Sequence, residues 1–349
     1  MMVVVAVCFS PSVGLAVDVD DNKEIGADDP TVTAQQNLTD TDSITLTNSG
    51  TIQYNGNAAV KTQFNRTGIT IINNAGARIA ATGATRDYAI KGQQQINFTI
   101  TNSGTIESGR KYAIDITQST GTTITNNAGG IITATKHAIN GSHTSTSNTT
   151  ITNSGKIYIT EAKSALTFTS ATGTTITNNS GGEIYIDTMG TDTSPAIQIG
   201  ADSSITNSGQ IRNDSDNAEK SVKFSGNNST LTNNSGGSII GYIMNNGKTG
   251  ITVTNSGTIS SSDDDYSLGD HTGSSGTTMT NHAGGVISNT STGDAVRLVA
   301  SGTFTNSGTL QNTNSTSNNA IRLEADNNTV ILKDEGKVIG LITADAGTT

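Results

Sequence analysis

Apolar and polar positions alternate in short bursts along nearly the whole chain, and the bursts recur at a near-constant interval. A phrase of apolar-Thr-Asn, a glycine turn and a second apolar position returns from residue 46 to residue 310. Its central asparagines are Asn48, Asn73, Asn102, Asn126, Asn153, Asn178, Asn207, Asn233, Asn255, Asn281 and Asn306, between 22 and 29 residues apart. The copies alternate between a short form, as at Thr47–Ile52 (TNSGTI), and a longer one, as at Thr125–Ile132 (TNNAGGII). The repeating unit is therefore a pair of turns. A second phrase, a small residue followed by an apolar one, comes 11 to 18 residues after most of these asparagines, as at Ala89-Ile90, Ala113-Ile114, Ala196-Ile197, Ala295-Val296 and Ala320-Ile321.

Each repeat thus offers three short strands with period-two alternation, rich in Ile and Thr. Gly, Asn, Ser and Thr return at every turn, and no 3.6-residue apolar spacing persists, which disfavours helix. A coil of three short strands cannot bury its apolar face alone, so successive coils must stack. The pattern predicts an all-β fold, a right-handed single-stranded parallel β-helix of about eleven coils of roughly 26 residues, over residues 43–325. Ile44, Leu46, Ile100, Ile124, Ile151, Ile176, Ile205, Leu231 and Val253 should point inward. The repeated Asn should lie inward at a corner, its amide bonding to those above and below, with a positive φ at the glycine that follows. Residues 17–42 read as an N-terminal cap or linker, and 326–349 as a terminal coil or junction where the chain is truncated.

Composition sharpens this. The 349 residues are 32% hydrophobic, 14% charged and 4% aromatic, against about 25% charged for an ordinary domain; the core must be narrow and built from small and β-branched side chains. Twenty-nine acidic and 19 basic residues leave a net charge of −10, which opposes nucleic acid as a partner. A single cysteine, Cys8, excludes an intrachain disulfide. Cys8 lies in the apolar run Met1–Phe9, too short to span a bilayer. Gly14, Leu15 and Ala16 follow it, then the acidic stretch Val17–Asp21. Residues 1–16 read as a signal peptide without the usual basic start.

The tandem T-N-S-G-T-I and T-N-N-x-G-G-x-I copies over about residues 43–325, with the signal-like start, resemble the passenger domains of bacterial autotransporters and related β-helical adhesins. The resemblance implies export to the surface of a Gram-negative bacterium and an outer-membrane translocator barrel in a full-length form. It also implies a host or cell-surface protein or glycan as ligand, with no cofactor, no metal and no catalysis. The chain itself has no run of alternating strands with aromatic girdles of the kind that a membrane barrel needs.

Three features carry candidate chemistry. Asp263–Asp265, with Asp270 and His271, is the one dense acidic loop, and it is where a carbohydrate-active rival would place its carboxylates. The four histidines, His137, His143, His271 and His282, have no metal-ligand spacing, and no G-x-S-x-G elbow occurs. Thr-x-Thr recurs on the first strand from Thr45/Thr47 to Thr303/Thr305, broken at Ile72; stacked, it should form two hydroxyl columns like those of ice-binding β-helices. Charge gathers just before the Ala-apolar phrase, where Arg86, Asp87, Arg110, Lys111, Lys136, Lys163 and Lys220 define a possible recognition ridge. The longest intervals place protrusions at about residues 80–88 and 185–195.

Overall fold

The computed structural model describes residues 17–39, 42–83, 87–161, 163–187, 194–213, 220–315 and 318–345. The signal segment, Arg86 of the ridge and the tips of both expected protrusions lie outside them. All regular structure among the described residues is strand, arranged as a parallel β-solenoid of about twelve turns. Each turn contributes one strand to each of three parallel sheets. The threonine sheet, of 13 strands, holds Thr45–Asn48 and its equivalents. The middle sheet, of 12, follows the glycine turn, as in Ile131–Ala134. The alanine sheet, of 14, holds the Ala-apolar phrase, as in Tyr112–Asp115. Thirteen strands at about 4.8 Å make a rod of roughly 60 Å.

The core is three stacked columns of aliphatic side chains. Leu46, Ile71, Ile100, Ile124, Ile151 and Ile176 pair in direct register in the threonine sheet and are fully buried. Ile52, Ile79, Ile106, Ile132, Ile157 and Ile184 do the same in the middle sheet. Val60, Ile90, Ile114, Ile139, Leu166 and Ile197 complete the triangle from the alanine sheet. Parallel in-register stacking places like on like, so a β-branched residue at one level fits the groove left by the next.

The solenoid starts earlier than the repeat phrase does. Residues 17–39 carry strands in register with the stack: Val17–Val19 pairs with Gln36–Leu38, Lys23–Ile25 pairs with Leu46–Asn48, and Val32 bridges to Ile52. This turn lacks the T-N-S-G phrase because Ile25 occupies the corner where later turns place Asn. At the other end Thr329–Leu332, Lys337–Ile339 and Leu341–Ala344 add a further turn, with Leu332 opposite Asn306.

Between these two apolar residues all eleven corner asparagines have no exposed surface. Each side-chain Nδ2 donates to the Oδ1 of the next, from Asn48 to Asn306, in ten successive bonds of 2.8 Å. Each Nδ2 also reaches a main-chain carbonyl at the start of the next middle-sheet strand, as Asn126 does to Lys156 O at 3.2 Å.

The glycines divide by turn form. In the long form the first glycine takes a positive φ, for example +81° at Gly129 and +80° at Gly181. The short-form glycine does not, against the expectation; it is there for want of space. A Cβ on Gly155 would lie 2.2 Å from Gly130 O and 2.6 Å from Asn127 O. The two forms also lock together: the second Asn of the long form donates to the serine of the preceding short one, Asn74 to Ser49, Asn127 to Ser103, Asn179 to Ser154 and Asn234 to Ser208, at 2.8–2.9 Å.

Truncating one rung tests the ladder. Asn153→Ala orphans the Asn178 Oδ1 acceptor and leaves Asn126 Nδ2 with its main-chain acceptors alone, at about 1–3 kcal/mol for the buried polar group left unmet. Thr152→Ala, one residue away on the outer face, should cost under about 1 kcal/mol. Urea denaturation of the two variants compares them; equal midpoints would show that the ladder carries no special stability.

Candidate functional site

The corner between the threonine and middle sheets is nearly constant in length, the one between the alanine and threonine sheets varies by a few residues, and the one that joins the middle sheet to the alanine sheet varies most. Charged side chains sit there because a loop that leaves the sheets need not match the turns on either side. Arg110 and Lys111 lie between the strands Thr105–Ser108 and Tyr112–Asp115. Lys136 lies between Ile131–Ala134 and His137–Asn140, and Lys163 between Lys156–Ile159 and Leu166–Thr172. Main-chain bonds stack these loops: the Lys136 and His137 amides donate to Lys111 O, and the Glu161 amide to Thr135 O. Arg110, Lys136 and Lys163 are exposed. Asp87 is buried at the start of the preceding turn, and burial pushes its carboxyl up, with Arg110 and the Ser108 hydroxyl opposing. Lys220 stands apart, at the start of its own strand, its Nζ 5.6 Å from the Tyr242 ring centre.

The ridge has a floor that the sequence reading missed. Tyr88, Tyr112 and His137 stack in register at the head of the alanine sheet. The tyrosine ring centres are 5.6 Å apart, and Tyr112 is 5.2 Å from His137. Lys111 Nζ donates to the Tyr88 hydroxyl at 2.5 Å and lies 4.7 and 4.5 Å from the centres of the Tyr88 and Tyr112 rings. The signal was the residue before Ala-Ile, aromatic in three consecutive turns. At the far end of the same strands, Asp115 is buried between Gln93 and Asn140, which donate to its carboxylate at 2.9 and 3.0 Å; burial holds its carboxyl above the usual range.

The acidic loop does not converge on a point. Asp264 Oδ1 accepts from the Ser291 and Thr292 hydroxyls, which hold its carboxyl below the usual range. Asp263 accepts the Asp265 amide, and Asp265 pairs with Arg297. Asp270 is buried and accepts from Asn245 at 2.9 Å and Thr277 at 2.7 Å. Among the described residues no three His, Cys, Asp or Glu side chains are grouped to hold a metal ion. Among the same residues no helix is long and apolar enough to cross a membrane.

The threonine columns are regular. The outer positions Thr99, Thr123, Thr150 and Thr175 pair directly, as do Thr101, Thr125, Thr152 and Thr177. Ser204 and Thr206 continue both columns, and the first reaches Thr329. No charged side chain points outward on this sheet from Thr45–Asn48 through Thr303–Asn306. A third outer feature lies on the middle sheet: Tyr158 and Tyr185 stack at 4.9 Å, and Arg212 covers Tyr185 at 4.0 Å.

Fold and surface define the class, a three-sheet parallel β-solenoid. Compared with protein-family models, curated proteins and solved structures, the chain has no match.

His137 makes the ridge sensitive to acid. Burial, then the charges of Lys163, Lys136 and Lys111, lower its pKa from 6.5 to about 4, although its Nδ1 bond to Ser164 O at 2.8 Å opposes this. The unfolded chain therefore binds the proton first as pH falls. The stability that a neutral His137 contributes is full above about pH 6.5 and is lost as pH falls toward 4. The stability of the parent relative to His137→Asn should shrink over that interval, measured by urea denaturation at each pH; a constant difference would contradict the burial of a neutral imidazole.

Proposed function

We propose that the chain is a non-catalytic surface rod, an adhesin or spacer of the autotransporter-passenger kind, displayed outside a Gram-negative cell by an outer-membrane translocator. The observation that supports this is the uninterrupted stack: three sheets run through every turn, and length varies mainly at one corner. Such a body holds a row of loops at fixed spacing, so that contacts too weak singly add along the edge. Its ligand in this reading is a protein or glycan of a cell surface. Beads coated with the purified chain should be retained on a panel of animal or bacterial cells, and uncoated beads should not. Failure of the folded rod to bind any surface, with release of reducing ends from a polysaccharide, would favour the carbohydrate-active rival.

The threonine sheet supports a second reading. Its paired hydroxyl and methyl columns repeat at the strand spacing of about 4.8 Å and about 7 Å along each strand, with no charge to disturb them. Such a lattice suits an ordered plane of water. The purified rod should then open a gap between melting and freezing, and Thr152→Lys with Thr177→Lys should close it. Unaltered ice growth at high protein concentration would remove this reading.

A further inference from the structure

We propose that the corner between the middle and alanine sheets, from Arg110 to Lys163, is a binding track for a linear acidic polysaccharide, lying along the rod axis. The inference rests on the attachment reading and names its ligand class. Its first support is charge. The chain carries −10 overall, yet residues 43–163 hold ten basic and four acidic residues. Two of those four, Asp87 and Asp115, are buried, and burial raises both carboxyls. A third, Glu107, is paired with Arg78 on the middle sheet. At the corner itself, among the described residues from 109 to 163, the exposed carboxylate is Glu161, against Arg110, Lys111 and Lys136.

The second support is geometry. Arg110 with Lys111, then Lys136, then Lys163 occupy successive turns, so their loops advance by about 4.8 Å each. The track is one loop wide. A thin chain with a charge on each sugar or disaccharide can follow it. A duplex nucleic acid or an anionic bilayer would instead bring a broad negative surface against a rod that is acidic elsewhere. The third support is the floor. Lys111 is fixed between two tyrosine rings and bonded to one hydroxyl, so part of the track is ordered before a ligand arrives, which lessens the entropy lost on binding. Tyr112 and His137 are half-buried and supply ring edges beside the cations.

The test uses the intact purified chain with polygalacturonate and dextran sulfate as probes and neutral dextran as control. Both acidic polymers should bind in low salt and weaken steeply as salt rises; neutral dextran should not bind. Arg110→Glu with Lys136→Glu should weaken binding at least tenfold. Lys333→Glu with Lys337→Glu, an equal change of charge at exposed positions outside the track, should leave it within twofold. Because the ridge positions are exposed, unfolding midpoints should not change, and Arg110→Gln with Lys136→Gln should give an intermediate loss. Equal loss in both Glu pairs, or no loss in the ridge pair, overturns the track. Ridge-dependent binding of duplex DNA or anionic vesicles at equal strength overturns the polysaccharide assignment. Cell retention by a ridge variant that no longer binds polymer would remove the track as the attachment site and leave attachment standing; polymer binding by a parent that no cell retains would do the reverse.

Discussion

The column of asparagine amides is the constraint on which the rest of the solenoid depends. An amide donates and accepts along one line, so eleven of them can pass a hydrogen bond in a single direction from Asn48 to Asn306. The dipoles align, and chains of such bonds strengthen one another in a dry interior. The column also fixes register. A slip of one residue would turn every Asn outward and every corner Thr inward, exchanging buried amides for unmet hydroxyls at each level. At both ends the column stops at an aliphatic side chain, Ile25 and Leu332.

From that column the two-turn period follows. The long glycine turn places a second asparagine beside the ladder, which reaches back to the serine of the short turn below, as Asn127 does to Ser103. The short-form glycine is pressed against the carbonyls of the long turn beneath it, so a short turn fits on a long one and the reverse. Repeating the pair keeps both the ladder corner and the threonine sheet uniform. The remaining corner is free of the constraint, which is why insertions and charge collect there and not on the threonine sheet.

Much of this was legible because the solenoid places like on like. The spacing of the Asn residues was enough to find the turns, the period-two Ile positions the core, and the Thr-x-Thr pairs the outer columns. What escaped had lost the repeated letters while keeping the backbone. The first turn carries Ile25 and Gly26 where the phrase needs Thr-Asn-Ser-Gly, yet its strands pair in register with the next. Glycine's conformational freedom suggests a positive φ in both turn forms; in the short form only the carbonyl of the adjacent turn reveals crowding instead. Lys220 shares its sequence position with the ridge but lies in a strand, against Tyr242. The tyrosine and histidine floor was visible as letters, but its meaning depends on turns 24 and 25 residues apart meeting face to face.

The outer surfaces then differ in what they can offer a partner. On the middle sheet, charges largely neutralise one another: Glu107 is held by Arg78, and Glu183 lies between Lys156 and Arg212. Exposed pairs of this kind contribute little to stability, about 0–1 kcal/mol each, but they leave little net field. The carboxylates near the far end are likewise tied, Asp265 to Arg297 and Asp345 to Arg322. The ridge is different in kind: Glu161 is exposed beside it, but Asp87 is buried and biased toward the neutral form, while Arg110 and Lys136 are exposed. Burial of Asp87 beside Arg110 thus leaves this edge richer in exposed cations than in exposed carboxylates among the described residues. The field of that edge extends over about 8–10 Å at ordinary salt, farther than one turn of the solenoid, so the cations of neighbouring turns act on a ligand together.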